Sequence, residues 1–198
     1  MFTFDYIKKF GLDQQVDFLH GTVGPAPDMT LSGEALRELD QYLSAQSTTP
    51  YYTIGSEQGG AYMARDWLIE KSEDKPAARI HTIFRSDLDR AAHNHPWNNV
   101  SVILHGCYYE LMPAEDGVED LSIVPLHVLG GCSNIEPMRA ILRKPGDVVC
   151  RTSSARHKLL VPPGEYAVTL FMSGPKNVDW GFFTENGFVL HTDYLIDA

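Results

Sequence analysis

The pattern of apolar and polar positions divides the chain near residue 50. Before that point apolar residues recur at helical spacing. Phe4-Asp5-Tyr6-Ile7-Lys8-Lys9-Phe10 and the run from Gln14 to Leu19 predict one or two short helices. A clearer helix follows: Ser32 is placed to act as N-cap, and Leu36, Leu39, Tyr42 and Leu43 recur at helical intervals. Its opposite side carries Glu34, Arg37 and Asp40. A helix so divided lies against something larger. Residues 1–50 are therefore expected to form a helical extension serving packing or oligomer contact rather than catalysis.

From about residue 51 the apolar runs shorten and are broken by glycine, proline and asparagine. The candidate strands are Tyr51 to Ile54, Tyr62 to Glu70, Arg79 to Arg85, Val100 to His105, Cys107 to Met112 and Leu121 to Leu129. They continue with Arg139 to Arg143, Asp147 to Arg151, His157 to Val161, Tyr166 to Ser173 and Asp179 to Phe183. Pro113 to Gly117 and Gly130 to Pro137 read as loops, and Gly187 to Ile196 as one more strand or a strap. Many short strands separated by turns predict an all-β sandwich or barrel over residues 51–198. No internal repeat and no linker divides it, so one domain is expected overall.

Composition narrows the function classes. A chain of 198 residues, 43% hydrophobic and 21% charged, fits one well-packed globular domain. The net charge of −10 disfavours nonspecific binding to nucleic acid or to anionic membranes. No run of about 18 apolar residues and no basic-then-apolar N-terminus is present. Cys107, Cys132 and Cys150 have no CxxC spacing, which argues against a disulfide framework or a zinc ribbon and makes a reducing cytoplasm the expected setting. No base stands at an interpretable spacing from Cys107 or Cys150, so buried free thiols are expected.

The chemistry gathers around His93-Asn94-His95. Two histidines one residue apart in an extended segment point to one face, and neutral imidazoles so placed suit iron, nickel, copper or zinc. The pattern continues as His93-x-His95-x3-Asn99-x6-Gly106, and Gly146-x5-Thr152-x-Ser154-x2-His157 follows downstream. These spacings resemble the two motifs of the cupin superfamily, G-x5-H-x-H-x3,4-E-x6-G and G-x5-P-x-G-x2-H-x3-N. The resemblance covers roughly residues 80 to 175, and its first motif is the more specific.

It implies a cupin double-stranded β-helix, a jelly-roll barrel with the helical extension at its N-terminus. It also implies a divalent transition metal on His93, His95 and His157, iron(II) first and nickel or zinc as alternatives. Gly106 and Gly146 match the family's turn glycines. Asp87 stands in place of the first glycine, and Thr152, Ser154 and Val161 replace the proline, glycine and asparagine of motif two. Asn99 occupies the place of the usual glutamate ligand and is expected to orient a bound water rather than ligate. The chain is also similar to microbial and phage cupin-like proteins with an Asp-x-Asp-Arg run before His-x-His-Pro-Trp, a likeness that implies no substrate.

Three-histidine sites resemble those of cysteine dioxygenase and of some diketone-cleaving dioxygenases. The reading is thus an iron-dependent dioxygenase-type oxidoreductase acting on a small polar organic molecule. The alternatives are a small-ligand-binding cupin without turnover, or a metal-assisted isomerase or hydrolase with Glu110 as its base. Arg151, Arg156 and Tyr108 are candidate substrate contacts, arginine being suited to a carboxylate or phosphate. One carboxylate of Asp87 or Asp89 is a candidate to hold a ligand histidine's free N–H; the other reading is that Asp87, Asp89 and Arg90 form a solvated loop. His81 either lines the barrel or is a satisfied core histidine. Ser101 and Ile103 share the face of Asn99, predicting a largely apolar pocket wall. Trp97, Trp180, Phe182 and Phe183 read as core. The resemblance further implies a homodimer.

Overall fold

A computed structural model describes residues 1–56, 60–87, 91–130 and 134–194, with the backbone alone for 50–56. Three helices lead the chain: α1 (Phe4–Lys8), α2 (Asp13–Leu19) and α3 (Gly33–Ser44). Thr3 caps α1 by accepting the Tyr6 N–H at 3.2 Å, and Ser32 caps α3 by accepting the Ala35 N–H at 3.1 Å. Between them lies the short strand β1 (Met29–Thr30).

The largest sheet has seven strands, every neighbouring pair antiparallel. In spatial order they are β1, β9 (Asp147–Arg151), β6 (Trp97–Gly106), β11 (Ala167–Lys176), β4 (Ala77–Ile83), β3 (Gly60–Ile69) and β2 (Thr49–Ser56). A second sheet sets β7 (Tyr108–Pro113) between β10 (Lys158–Leu160) and β8 (Met138–Arg143). A third sets β12 (Gly181–Thr184) between β13 (Gly187–Leu190) and β5 (Ala92–His93). The protein is thus mostly antiparallel β, in a jelly-roll arrangement around a central cavity.

Period-two alternation gives the large sheet two different faces. Val100, Val102 and Leu104 of β6, Ala78 of β4, Val148 of β9, and Leu170 and Met172 of β11 point outward. There they join Ile7, Leu12, Val16, Phe18, Leu19, Leu39 and Leu43 of the N-terminal segment in one buried cluster. The intervening positions, among them Arg79 and His81 of β4, Ser101 of β6, Arg151 of β9 and Thr169 of β11, turn inward. The helices cover the back of the sheet, and its inner face is left free to carry polar groups.

Two turns depend on glycine. Gly106 has φ +67°, and a Cβ there would lie 1.8 Å from the Tyr166 carbonyl oxygen. Gly146 has φ +96° in the turn that starts β9.

One expected strand is absent from its place. Over Leu121–Leu129 the chain makes a turn and then the short helix α4 (Leu126–Leu129), entered at Pro125. Proline cannot donate to a strand ladder but is well placed at a helix start. Val124 and Val128 instead bury against Leu111, Met138, Ala140 and Leu160. After β13 the chain turns back, and the Tyr194 ring stacks on Phe182 at 4.0 Å while its hydroxyl accepts the Ala91 N–H at 3.0 Å. That strap ends against the strand that carries His93.

Leu39 has no exposed surface and sits where α3 meets the sheet. Leu39→Ala is expected to lower the unfolding free energy by about 2–5 kcal/mol, read from urea denaturation. A loss below about 1 kcal/mol would show that α3 contributes little to the core.

Candidate metal centre and its cavity

β5 is two residues long, yet it fixes the centre. The His93 N–H donates to the His157 carbonyl at 2.9 Å, and the His157 N–H donates back to the His93 carbonyl at 3.0 Å. This reciprocal backbone pair sets the two imidazoles side by side. His95 follows two residues on and joins them: ring centroids are 5.3 Å apart for His93–His95, 4.9 Å for His93–His157 and 5.1 Å for His95–His157. Asn94, between the two histidines, points the other way. Its Nδ2 donates to the carbonyls of Ser153 and Asp179 at 3.1 and 3.0 Å, and its Oδ1 accepts the Gly181 N–H at 2.9 Å. The His-x-His segment is therefore pinned from behind.

One ring nitrogen from each histidine lies within 4.8 Å of the other two, and the Nε2 atoms of His95 and His157 face each other at 2.9 Å. Metal–imidazole bonds of about 2.0–2.1 Å place ligand nitrogens roughly 3–3.5 Å apart, so small ring rotations suffice to close the cluster on one divalent ion. Protonation favours this as well. Burial, then the charges of His157, His93, Arg151 and Arg79, hold His95 well below the usual histidine range, leaving a neutral imidazole near pH 7.

His157 Nδ1 lies 2.7 Å from Glu110 Oε1, so its N–H donates to the carboxylate and Nε2 keeps its lone pair for the cluster. Glu110 is fully buried. It also accepts from Arg151 Nε and, at 2.8 Å, from Arg143 Nε. Burial pushes its pKa up, but Arg151 and the bond from His157 outweigh that and hold it well below the usual carboxylate range. Arg143 in turn donates to Asp28 Oδ2 at 2.7 Å, tying the segment before β1 to the same network. Burial also opposes the Arg151 cation, and Glu110 and Tyr108 override it, so its pKa rises.

The cluster stands on the wall of a cavity of about 130 Å³. The wall includes Tyr62, Met63, Arg65, Arg79, His81, Trp97, Ser101, Tyr108, Arg151, Leu159, Thr169, Phe171 and Trp180. It is far more cationic than an apolar wall built from Ser101 and Ile103. Arg79 is sandwiched among the rings of Phe171, Trp67 and Trp97 at 4.6, 4.8 and 5.2 Å, and its Nε donates to His81 Nε2 at 2.6 Å.

The candidate residues fall into distinct places. His93, His95 and His157 come together, with Tyr108 and Arg151 on the cavity wall. Glu110 lies behind His157 rather than on the wall. Asn99 is fully buried on the inward side of β6, its Nδ2 donating to the Trp97 carbonyl at 3.4 Å and its Oδ1 without a hydrogen-bond partner. Arg156 is outside the cavity, paired with Glu136 at 3.1 Å and stacked over Phe183.

The carboxylate that holds a ligand histidine is Glu110, not Asp87. Asp87 is buried rather than solvated, and its Oδ2 accepts the Leu159 N–H at 3.0 Å. Asp89, Arg90 and Cys132 lie outside the described residues. Arg65 and Arg79 were not among the sequence candidates. Arg79 shares a face of β4 with His81 by period two, but Arg65 comes opposite His81 only through the pairing of β3 with β4, and nothing in one strand says which face turns inward.

No family model matches the sequence, and no curated protein matches it. Its structural neighbours are cupin proteins. Oxalate decarboxylase of Bacillus subtilis, a protein with Mn(II) centres, aligns at 15% identity and a TM-score of 0.41 over 66% of this chain and 29% of that one. The chain thus spans about three tenths of the decarboxylase's length. An RmlC-like cupin from Ralstonia eutropha gives 10% identity and 0.43, covering 74% of this chain and 73% of the other. A cupin-like protein from Thermotoga maritima gives 16% and 0.43, covering 74% and 92%. Nothing about substrate follows from likeness of this degree.

Glu110→Gln leaves Arg151 and Arg143 without their shared charge. At pH 7 it is expected to cost about 3–5 kcal/mol of stability. Because Glu110 has a depressed pKa when folded, its contribution is present above the ordinary carboxylate value and is lost as pH falls through the folded one. The deficit of the variant, measured by denaturation across pH, should therefore narrow below about pH 4. A deficit independent of pH would mean that the carboxylate's charge is not what stabilises the network.

Proposed function

We propose that this protein is a metal-dependent oxidoreductase of the iron(II) dioxygenase type, acting on a small polar organic molecule. The observation that carries the reading is the set of three imidazoles, with no carboxylate among them, set at the wall of a small cavity. An iron(II) ion held there would keep its full charge and supply open positions for substrate and dioxygen.

The chain's own groups prepare the site. Glu110 fixes the His157 tautomer, and the His93–His157 backbone pair fixes the ring positions. Phe171 lies against His95 at 5.6 Å and Phe182 against His93 at 5.8 Å, so rings flank the imidazoles and limit water around them. Arg151 and Tyr108 face the space in which a substrate would sit. Asn99 does not line the cavity, so its unpartnered Oδ1 would serve only a water buried behind the wall.

A metal-assisted isomerase or hydrolase needs a base facing the substrate. Glu110 is engaged by His157, Arg151 and Arg143 and does not line the cavity, which argues against that role. A ligand-binding protein without turnover remains the competing class, and metal loading separates the two.

Reconstitution with iron(II) under anaerobic conditions is expected to give about one iron per chain by metal analysis. His93→Ala and His157→Ala should each reduce that to a small fraction while the far-UV circular dichroism is retained. Absence of stoichiometric iron in the wild-type protein, or its retention in both variants, would overturn the reading.

A further inference from the structure

Arg151 is 3% exposed, and its three nitrogens are used unequally. Nε donates to Glu110, and Nη1 donates to Ser101 Oγ at 3.4 Å. Nη2 is buried and makes no hydrogen bond of standard geometry, while the Tyr108 hydroxyl also engages the guanidinium. A buried guanidinium nitrogen with no acceptor costs free energy until one arrives, and Arg151 stands on the cavity wall.

The charges around it point the same way. Arg65, Arg79 and Arg151 line the cavity, and no aspartate or glutamate lines it among the described residues. His81 accepts from Arg79 through Nε2, so it is neutral and cannot serve as the anion. Burial, then Arg79 and Arg65, hold it well below the usual histidine range.

We propose that the cavity binds a small organic acid, its carboxylate received by Arg151 Nη2 and drawn in by the Arg79 and Arg65 charges, its carbon skeleton against Phe171, Leu159 and Met63. Size supports this class: a cavity of about 130 Å³ has room for a small organic molecule. A planar carboxylate matches a guanidinium edge, and inorganic phosphate is the competing anion that the test includes. The inference names the substrate class for the function proposed above, but the acid site is built from arginines and does not require the metal.

The test therefore uses metal-free protein treated with EDTA. Acetate, propionate, malonate and benzoate are compared with their uncharged amides by thermal shift and isothermal titration at constant ionic strength. At least one acid is expected to bind and to raise the melting temperature, with its amide bound about tenfold or more weakly. Arg79→Gln should weaken that acid several-fold, and Arg151→Lys should abolish the preference for acid over amide. Because Arg151 supports Glu110, the acid–amide comparison on the wild-type protein decides the matter if that variant does not fold. Equal binding of acid and amide, no binding by any acid, or stronger binding of inorganic phosphate would each overturn the proposal. Acid binding by a protein that takes up no iron would leave the acid site standing and remove the oxidoreductase reading.

Discussion

One buried carboxylate organises the centre. Glu110 is fully sequestered from water, and a charge in that position is tolerable only because three donors converge on it. Each donor carries a different consequence. His157 is held with its proton on Nδ1, so Nε2 can join the other imidazoles. Arg151 is held on the cavity wall with one nitrogen to spare. Arg143 passes the network outward to Asp28, before β1. The same carboxylate thus links a ring tautomer, a cationic wall and the N-terminal segment.

A polar interior of this kind needs its hydrophobic stabilisation elsewhere. A barrel of these dimensions ordinarily fills its inside with apolar side chains. Here the inner face of the seven-stranded sheet carries arginines, histidines and hydroxyls, and the largest buried apolar cluster lies on its outer face under the N-terminal helices. The separation is physically economical. Large-to-small changes under the helices weaken the fold without altering cavity shape, and changes in the cavity alter charge without removing the main core. Residues 1–50 are in that sense part of what makes the interior available for binding.

The sequence revealed the three histidines because their signal is local. A His-x-His pair on a strand needs only period two, and Gly106 and Gly146 mark turns that admit no other residue easily. The helix cap at Ser32 is local in the same way. What stayed hidden depends on partners distant along the chain. Glu110 meets His157 because β7 pairs with β10, and no spacing within either strand announces it. Arg79 and His81 alternate correctly along β4, but only the helices packed on the other face determine that they turn inward. Pro125 is a local sign against a strand over Leu121–Leu129, where the surrounding apolar residues read as one.

Asn99 bears on the charge of the centre. A carboxylate at that position would lower the net charge of a bound ion and would repel an anionic ligand beside it. A neutral amide does neither. Among the described residues, the charged side chains around the three imidazoles and the cavity are arginines, apart from Glu110, which lies behind His157 and is matched by its own arginines. Among the described residues, the cavity wall carries positive charge and no carboxylate.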